Sequence, residues 1–166
     1  MATPNLQEAQ GTFARDSVQT RKRSVTSGAQ TLTAAQSGTL CLFNTAAGYT
    51  FTLPIITANT VGIWYDFLCT ITNTSVVAKI ITGQATDLIV GNVLSGVEAT
   101  TPGANPGPKF FPFATDKVAC NFGGTDTTSG GVVGTRVRLE ATALLQWTIS
   151  GNVVCAGTIV TPAATS

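Results

Sequence analysis

The sequence predicts an all-β protein, an antiparallel β-sandwich or jelly-roll-like barrel with an extended N-terminal arm. Three observations predict it. Apolar and polar residues alternate with a period of two through several short runs, which places one set of side chains on each face of a strand. Those runs are rich in Thr, β-branched and aromatic residues, which suit a pleated, half-buried surface. Gly and Pro separate them, so the chain reads as roughly eight to ten short strands with little helix.

Residues 1–28 are the expected arm. They hold Glu8, Arg15, Asp16, Arg21, Lys22 and Arg23, six of the seventeen charges, and too few large apolar residues to close a core. Residues 29–166 read as a single β domain. Leu40–Phe43 is its first strand. Tyr49–Leu53 is the second, with Tyr49, Phe51 and Leu53 on one face and Thr50 and Thr52 on the other. Asn44–Gly48 between them reads as a hairpin loop, and Pro54 closes the pair.

Val61–Ile71 alternates again, with Val61, Ile63, Tyr65, Phe67, Cys69 and Ile71 sharing a face. Its other face carries Trp64, Asp66 and Leu68 and is also mostly apolar, so the strand is expected to be covered on both sides. Asn73–Ser75 is a turn. Val76–Thr82 and Leu88–Val90 follow as shorter strands. Residues 91–113 contain four prolines and four glycines, which predicts one long loop. Phe110, Phe111 and Phe113 close that interval and would be costly in water. They either fold onto the domain's own core or bury against a partner subunit, and they are the candidate subunit interface.

Lys117–Phe122 is a strand and Gly123–Gly134 a Gly/Thr/Ser loop. Thr135–Ser150 carries the strongest pattern. Val137, Leu139, Ala141, Ala143, Leu145, Trp147 and Ile149 fill the odd positions, without Gly or Pro. Sixteen residues exceed a usual strand of about five or six, so a tight turn is expected near Thr142–Leu144. Val153–Val160 is the last strand, and the tail TPAATS is expected to fray.

Composition excludes several functions. The chain has 166 residues, only 10% charged, with a net charge of +1 and no histidine. There is no Ser-His-Asp triad, no Cys-His pair and no His-ligated metal to find. Near-zero net charge argues against a nucleic-acid or membrane-surface binder. No apolar run approaches the roughly 20 residues that span a bilayer. The opening MATPNLQEAQ lacks the basic and apolar regions of a signal peptide.

The chemical motifs are sparse. Cys41, Cys69, Cys120 and Cys155 lie in apolar runs with no C-x-x-C spacing. They read as small buried hydrophobes rather than as disulfides or a thiolate metal site. The acidic residues are scattered and supply no visible carboxylate pair for glycan hydrolysis, so neither enzyme activity nor a cofactor is expected. Asp66, inside an apolar strand, is expected to face a neighbouring strand's hydroxyl or backbone; the alternative is an Arg or Lys of a partner. Trp64 and Trp147 read as core anchors. Arg21-Lys22-Arg23 is the sharpest charge cluster, either a solvated tail or a dock for an acidic protein surface. Lys79, Lys109, Lys117, Arg136 and Arg138 are dispersed.

The runs SGTLCLFNTAAGYTFTLP, VGIWYDFLCTIT, KIIT, DLIVG and GTRVRLEATALLQWTISG resemble tailed-bacteriophage virion proteins. In particular they resemble the head decoration, or cement, proteins of marine and cyanobacterial phages. The resemblance covers about residues 30–157 and rests on strand-and-turn patterns rather than a catalytic signature. It implies a homotrimer on the outer capsid surface of a virion assembled in the host cytoplasm. That trimer would bridge major capsid protein subunits and resist the pressure of packaged DNA. The residues themselves suggest how the arm would dock: it adds a strand to a capsid edge while Arg15, Arg21, Lys22 and Arg23 pair with capsid carboxylates. A phage tail or fibre receptor-binding module is the alternative reading.

Overall fold

The computed structural model describes residues 24–97, 107–114, 116–124, 127–156 and 159–165. Among these residues the chain forms twelve strands and one 3-10 turn, Ala34–Gln36. The strands are β1 (Val25–Ser27), β2 (Gln30–Thr31), β3 (Leu40–Phe43), β4 (Thr50–Thr52), β5 (Trp64–Cys69) and β6 (Ala78–Ile81). They continue with β7 (Leu88–Val97), β8 (Lys109–Phe113), β9 (Ala119–Phe122), β10 (Arg136–Ala143), β11 (Gln146–Cys155) and β12 (Ala163–Ala164). A seven-stranded sheet has the order β1-β3-β5-β10-β11-β7-β8, and a five-stranded sheet the order β12-β9-β6-β4-β2. The class is the all-β sandwich that the periodicity predicts.

Strand direction differs from the expectation. Both sheets are mixed. β1, β3 and β5 run parallel to one another, as do β2, β4 and β6, and β11 runs parallel to β7. The reason is the path of the chain. From β1 to β7 every connection crosses to the other sheet, and up to β6 each strand returns beside its predecessor in the same direction, while β10 and β11 later insert between β5 and β7. Parallel neighbours need a long crossover, and here the crossover is itself a strand of the facing sheet. Asn44–Gly48 is therefore not a hairpin loop: β3 and β4 belong to different sheets.

The core lies between the sheets. Phe43 is its hub, with ring centroids 5.4 Å from Tyr49, 5.2 Å from Phe51 and 6.4 Å from Phe67 and Phe122. Phe51, Phe67, Trp147, Leu139 and Ile149 are fully buried around it. Such offset and edge-on contacts suit the ring quadrupoles and add to the burial of large apolar area. The four cysteines are buried and unbridged within this core, as small hydrophobes would be. Burial pushes the Cys69 thiol up to about 12 and the Cys155 thiol up to about 11.

Three further boundaries move. The interval 91–113 is not one loop: residues 91–97 complete β7, and 109–113 form β8, antiparallel to it. Gly91 sits inside β7 at φ +114, and a Cβ there would meet the Ile149 carbonyl oxygen at 2.3 Å. It is a point of close backbone approach rather than a strand end. Pro112 lies on an edge strand, where sheets tolerate a missing N–H. Residues 98–106 lie outside the described residues. The predicted arm ends early, because Val25–Ser27 already pair with Leu40–Leu42. The tail does not simply fray: Ala163 and Ala164 pair with Cys120 and Ala119, using backbone groups at the open edge of β9.

The hairpin inside Thr135–Ser150 is present, with its turn at Leu144–Leu145. Val137, Leu139, Ala141, Trp147 and Ile149 face the core as the alternation requires, whereas Leu145 is half-exposed at the tip. β11 then runs on to Cys155 through Gly151, absorbing the start of the predicted last strand.

Candidate functional site

The outer face of the seven-stranded sheet gathers four of the nine charged residues that the structure describes: Asp66, Arg136, Arg138 and Glu140. Period-two geometry puts them there. Val137, Leu139 and Ala141 of β10 point into the core, so Arg136, Arg138 and Glu140 point out. On β5, Tyr65, Phe67 and Cys69 point in, so Trp64, Asp66 and Leu68 point out. Register places Arg138 directly opposite Asp66, and Arg136 two pairs further along, opposite Leu68.

Asp66 is 2% exposed, and a buried carboxylate is costly unless it is paired. Arg138 pairs with it side-on: Nε donates to Oδ1 at 2.8 Å and Nη2 to Oδ2 at 3.2 Å. Arg136 Nη2 donates to Oδ2 at 3.1 Å. The Asp66 hydrogen bond holds the Arg138 guanidinium above its ordinary pKa. Arg138 Cζ also lies over the Trp64 ring, 4.1 Å from its centroid, a cation–π contact that helps hold the guanidinium in place. The segment after the 3-10 turn lies against this residue: Ser37 Oγ accepts from the Trp64 backbone amide at 3.1 Å, and Gly38 lies beside the indole.

The expectation for Asp66 is corrected here. It pairs with two arginines of the adjacent strand of the same chain. Trp64 is likewise not a core anchor, whereas Trp147 is. Both differences have one cause: the sequence shows which face a side chain takes but not which strand lies beside it.

Across β10 and β11 the two arginines border a depression of about 350 Å³. Asp66, Arg136 and Arg138 line one side and Ser150, Gly151 and Asn152 the other. Asn152 is opposite Arg136 and Ser150 opposite Arg138 in register. The arginine side chains are 57% and 45% exposed, so their remaining donors reach solvent. The arrangement can hold an oxyanion. By sequence Arg136 and Arg138 count among the dispersed basic residues. Their signal was available, because residues two apart on a strand share a face, and a lone acid in an apolar strand needs a counter-charge.

The other sequence candidates scatter. Phe113 is 4% exposed in the chain's own core, which removes it from a subunit interface. Phe111 is partly buried and packs against that core. Phe110 is 71% exposed on β8, the edge strand of the larger sheet. Arg15, Arg21, Lys22 and Arg23 lie outside the described residues. A second buried acid, Asp87, was missed: it accepts from the Ile56 amide at 3.0 Å and from Gln84 Nε2 at 2.7 Å, pinning two connections together. Among the described residues no group of three or more Cys, Asp or Glu is placed to hold a metal ion. No described helix is long and apolar enough to cross a membrane. The chain matches no family model, and no similar curated protein or solved structure was found.

Proposed function

We propose that the chain is a structural virion protein of a tailed bacteriophage. It binds the outer surface of the capsid as a homotrimer, bridges major capsid protein subunits and stabilises the head against internal DNA pressure. The observation that carries this reading is the sequence resemblance over about residues 30–157, and the two-sheet all-β body of those residues is consistent with it. Two placements add support. The segment bearing Arg15, Arg21, Lys22 and Arg23 joins the body at β1, an edge strand of the larger sheet. Exposed Phe110 lies on β8, at that sheet's opposite edge. The reading assigns the basic segment to the capsid and Phe110 to a neighbouring subunit. Three linked sites would bind a shell far more tightly than one.

The test is co-sedimentation of the purified protein with genome-filled heads of its source virus and with empty precursor shells. Saturable binding near one trimer per three-fold site is the expected result, weakened by deletion of residues 1–23. Absence of binding to either particle would overturn it. The arginine-lined depression favours a second reading, a tail or fibre receptor-binding module, which predicts binding to host-surface ligands instead.

A further inference from the structure

We infer that the depression between Arg136, Arg138 and Asn152 is a binding site for a small carboxylate-bearing ligand. Asp66 is the organiser. Itself buried, it anchors two guanidiniums, Arg138 through two hydrogen bonds and Arg136 through one, and Trp64 holds Arg138 a second time. Of the five N–H donors on each guanidinium, Asp66 takes two from Arg138 and one from Arg136. The rest are preorganised for a planar acceptor, and an arginine fork matches a carboxylate edge. Ordering two long side chains normally costs binding energy; here the fold has already done it.

Charge selects the ligand class. Two arginines against Asp66 leave one net positive charge at the depression. Glu140 stands on the same face, opposite Trp64 in register. Glu140 opposes any anion there, and a dianion such as phosphate twice as strongly as a monoanion, so the local charge favours a singly charged ligand. The volume, about 350 Å³, lies at the small end of the roughly 300–1,000 Å³ of small-molecule sites. Ser150 and Asn152 offer a hydroxyl and an amide opposite the arginines, where the rest of a polar ligand would lie. The inference is independent of the capsid reading, because the isolated chain performs the binding.

The experiment is an NMR titration of the full-length protein, following the arginine side-chain Nε–H signals and the backbone amides of 150–152. The probes are acetate, glucuronate and phosphate at matched ionic strength, with chloride as control. Saturable shifts at Arg136 and Arg138 in the millimolar range are expected for both carboxylates. Glucuronate should bind more tightly than acetate if the hydroxyl and amide contribute. Arg136→Gln should weaken binding about tenfold or more. Asn152→Asp, nearly isosteric and opposite Arg136, should abolish it by supplying the carboxylate internally. Shifts no larger than chloride produces would overturn the site. So would affinity unchanged in both variants, and tighter binding of phosphate than of acetate would overturn the carboxylate assignment.

Discussion

Asp66 shows how one residue ties packing to surface chemistry. It is buried, yet Arg136 and Arg138, which pair with it, reach solvent, so water can take over from the carboxylate at these two guanidiniums when it is lost. Asp66→Asn should therefore cost only about 1–2 kcal/mol, less than breaking a fully buried ion pair. Urea denaturation would measure it, and a loss under about 0.3 kcal/mol would mean that the arginines contribute nothing through this acid. Asp87 differs, because both its partners are backbone or neighbouring groups of the connections it pins. Asp87→Ala leaves the Ile56 amide without its acceptor and should cost about 1–3 kcal/mol. The thiols supply a pH dependence. Burial raises Cys69 from 9.0 to about 12 and Cys155 from 9.0 to about 11. Above pH 9 the unfolded chain loses thiol protons that the folded chain keeps, so stability falls as pH rises from about 9 towards 12. Below pH 9 the thiols contribute no slope. A thermal-unfolding series across that range checks the sign. Alkylation at pH 8 should be slow in the native protein and rapid on all four cysteines after denaturation.

At the scale of the element, the β10–β11 hairpin holds the clearest strain. Leu145 sits at the turn with φ 61, a left-handed conformation that costs a branched residue about 1–2 kcal/mol. It is half-exposed there, so little packing offsets the cost. Leu145→Gly should raise the denaturation midpoint by about 0.5–1 kcal/mol equivalent with an unchanged denaturant slope. A destabilised variant would mean that Leu145 makes a packing contribution larger than its strain. Further along β11, Gly151 lies at φ +144, and a Cβ there would come within 2.3 Å of the Arg136 carbonyl oxygen. Gly151→Ala should destabilise by about 2 kcal/mol or more and displace Arg136. The same variant should blunt carboxylate binding, since Gly151 and Arg136 border one depression.

At the scale of the molecule, the chain alternates between sheets through its first half, so neither sheet can be completed without the other. The expected consequence is one cooperative unfolding transition, with far-ultraviolet and near-ultraviolet signals coincident. Two separated transitions would show that the sheets fold independently. Many neighbours are distant in sequence: β5 is paired with β10 and β6 with β9. Such topologies close long loops before contacts stabilise them, so folding should be slow for the size of the chain. The same interlocking explains what was legible beforehand. Alternation identified the inward faces of Val137–Ala141, Trp147–Ile149 and Tyr65–Cys69, but it overran the strands: Val61, Ile71, Ala143 and Leu145, expected on the same faces, are exposed. It carried no information on partners, so Arg136 and Arg138 looked scattered until β10 was seen beside β5.

Local chemistry alone determined the all-β class, the buried cysteines, the inward faces of β5, β10 and β11, and the exclusion of histidine chemistry. Each depends on residue type and a period of two, and both are written in the chain. Tertiary structure alone decided the parallel pairings, the two halves of the supposed loop at 91–113, and the burial of Phe113. It also decided the meeting of Asp66 with two arginines about seventy positions away. Those depend on which strand lies beside which, a choice made by the packing of both sheets at once rather than by any one segment.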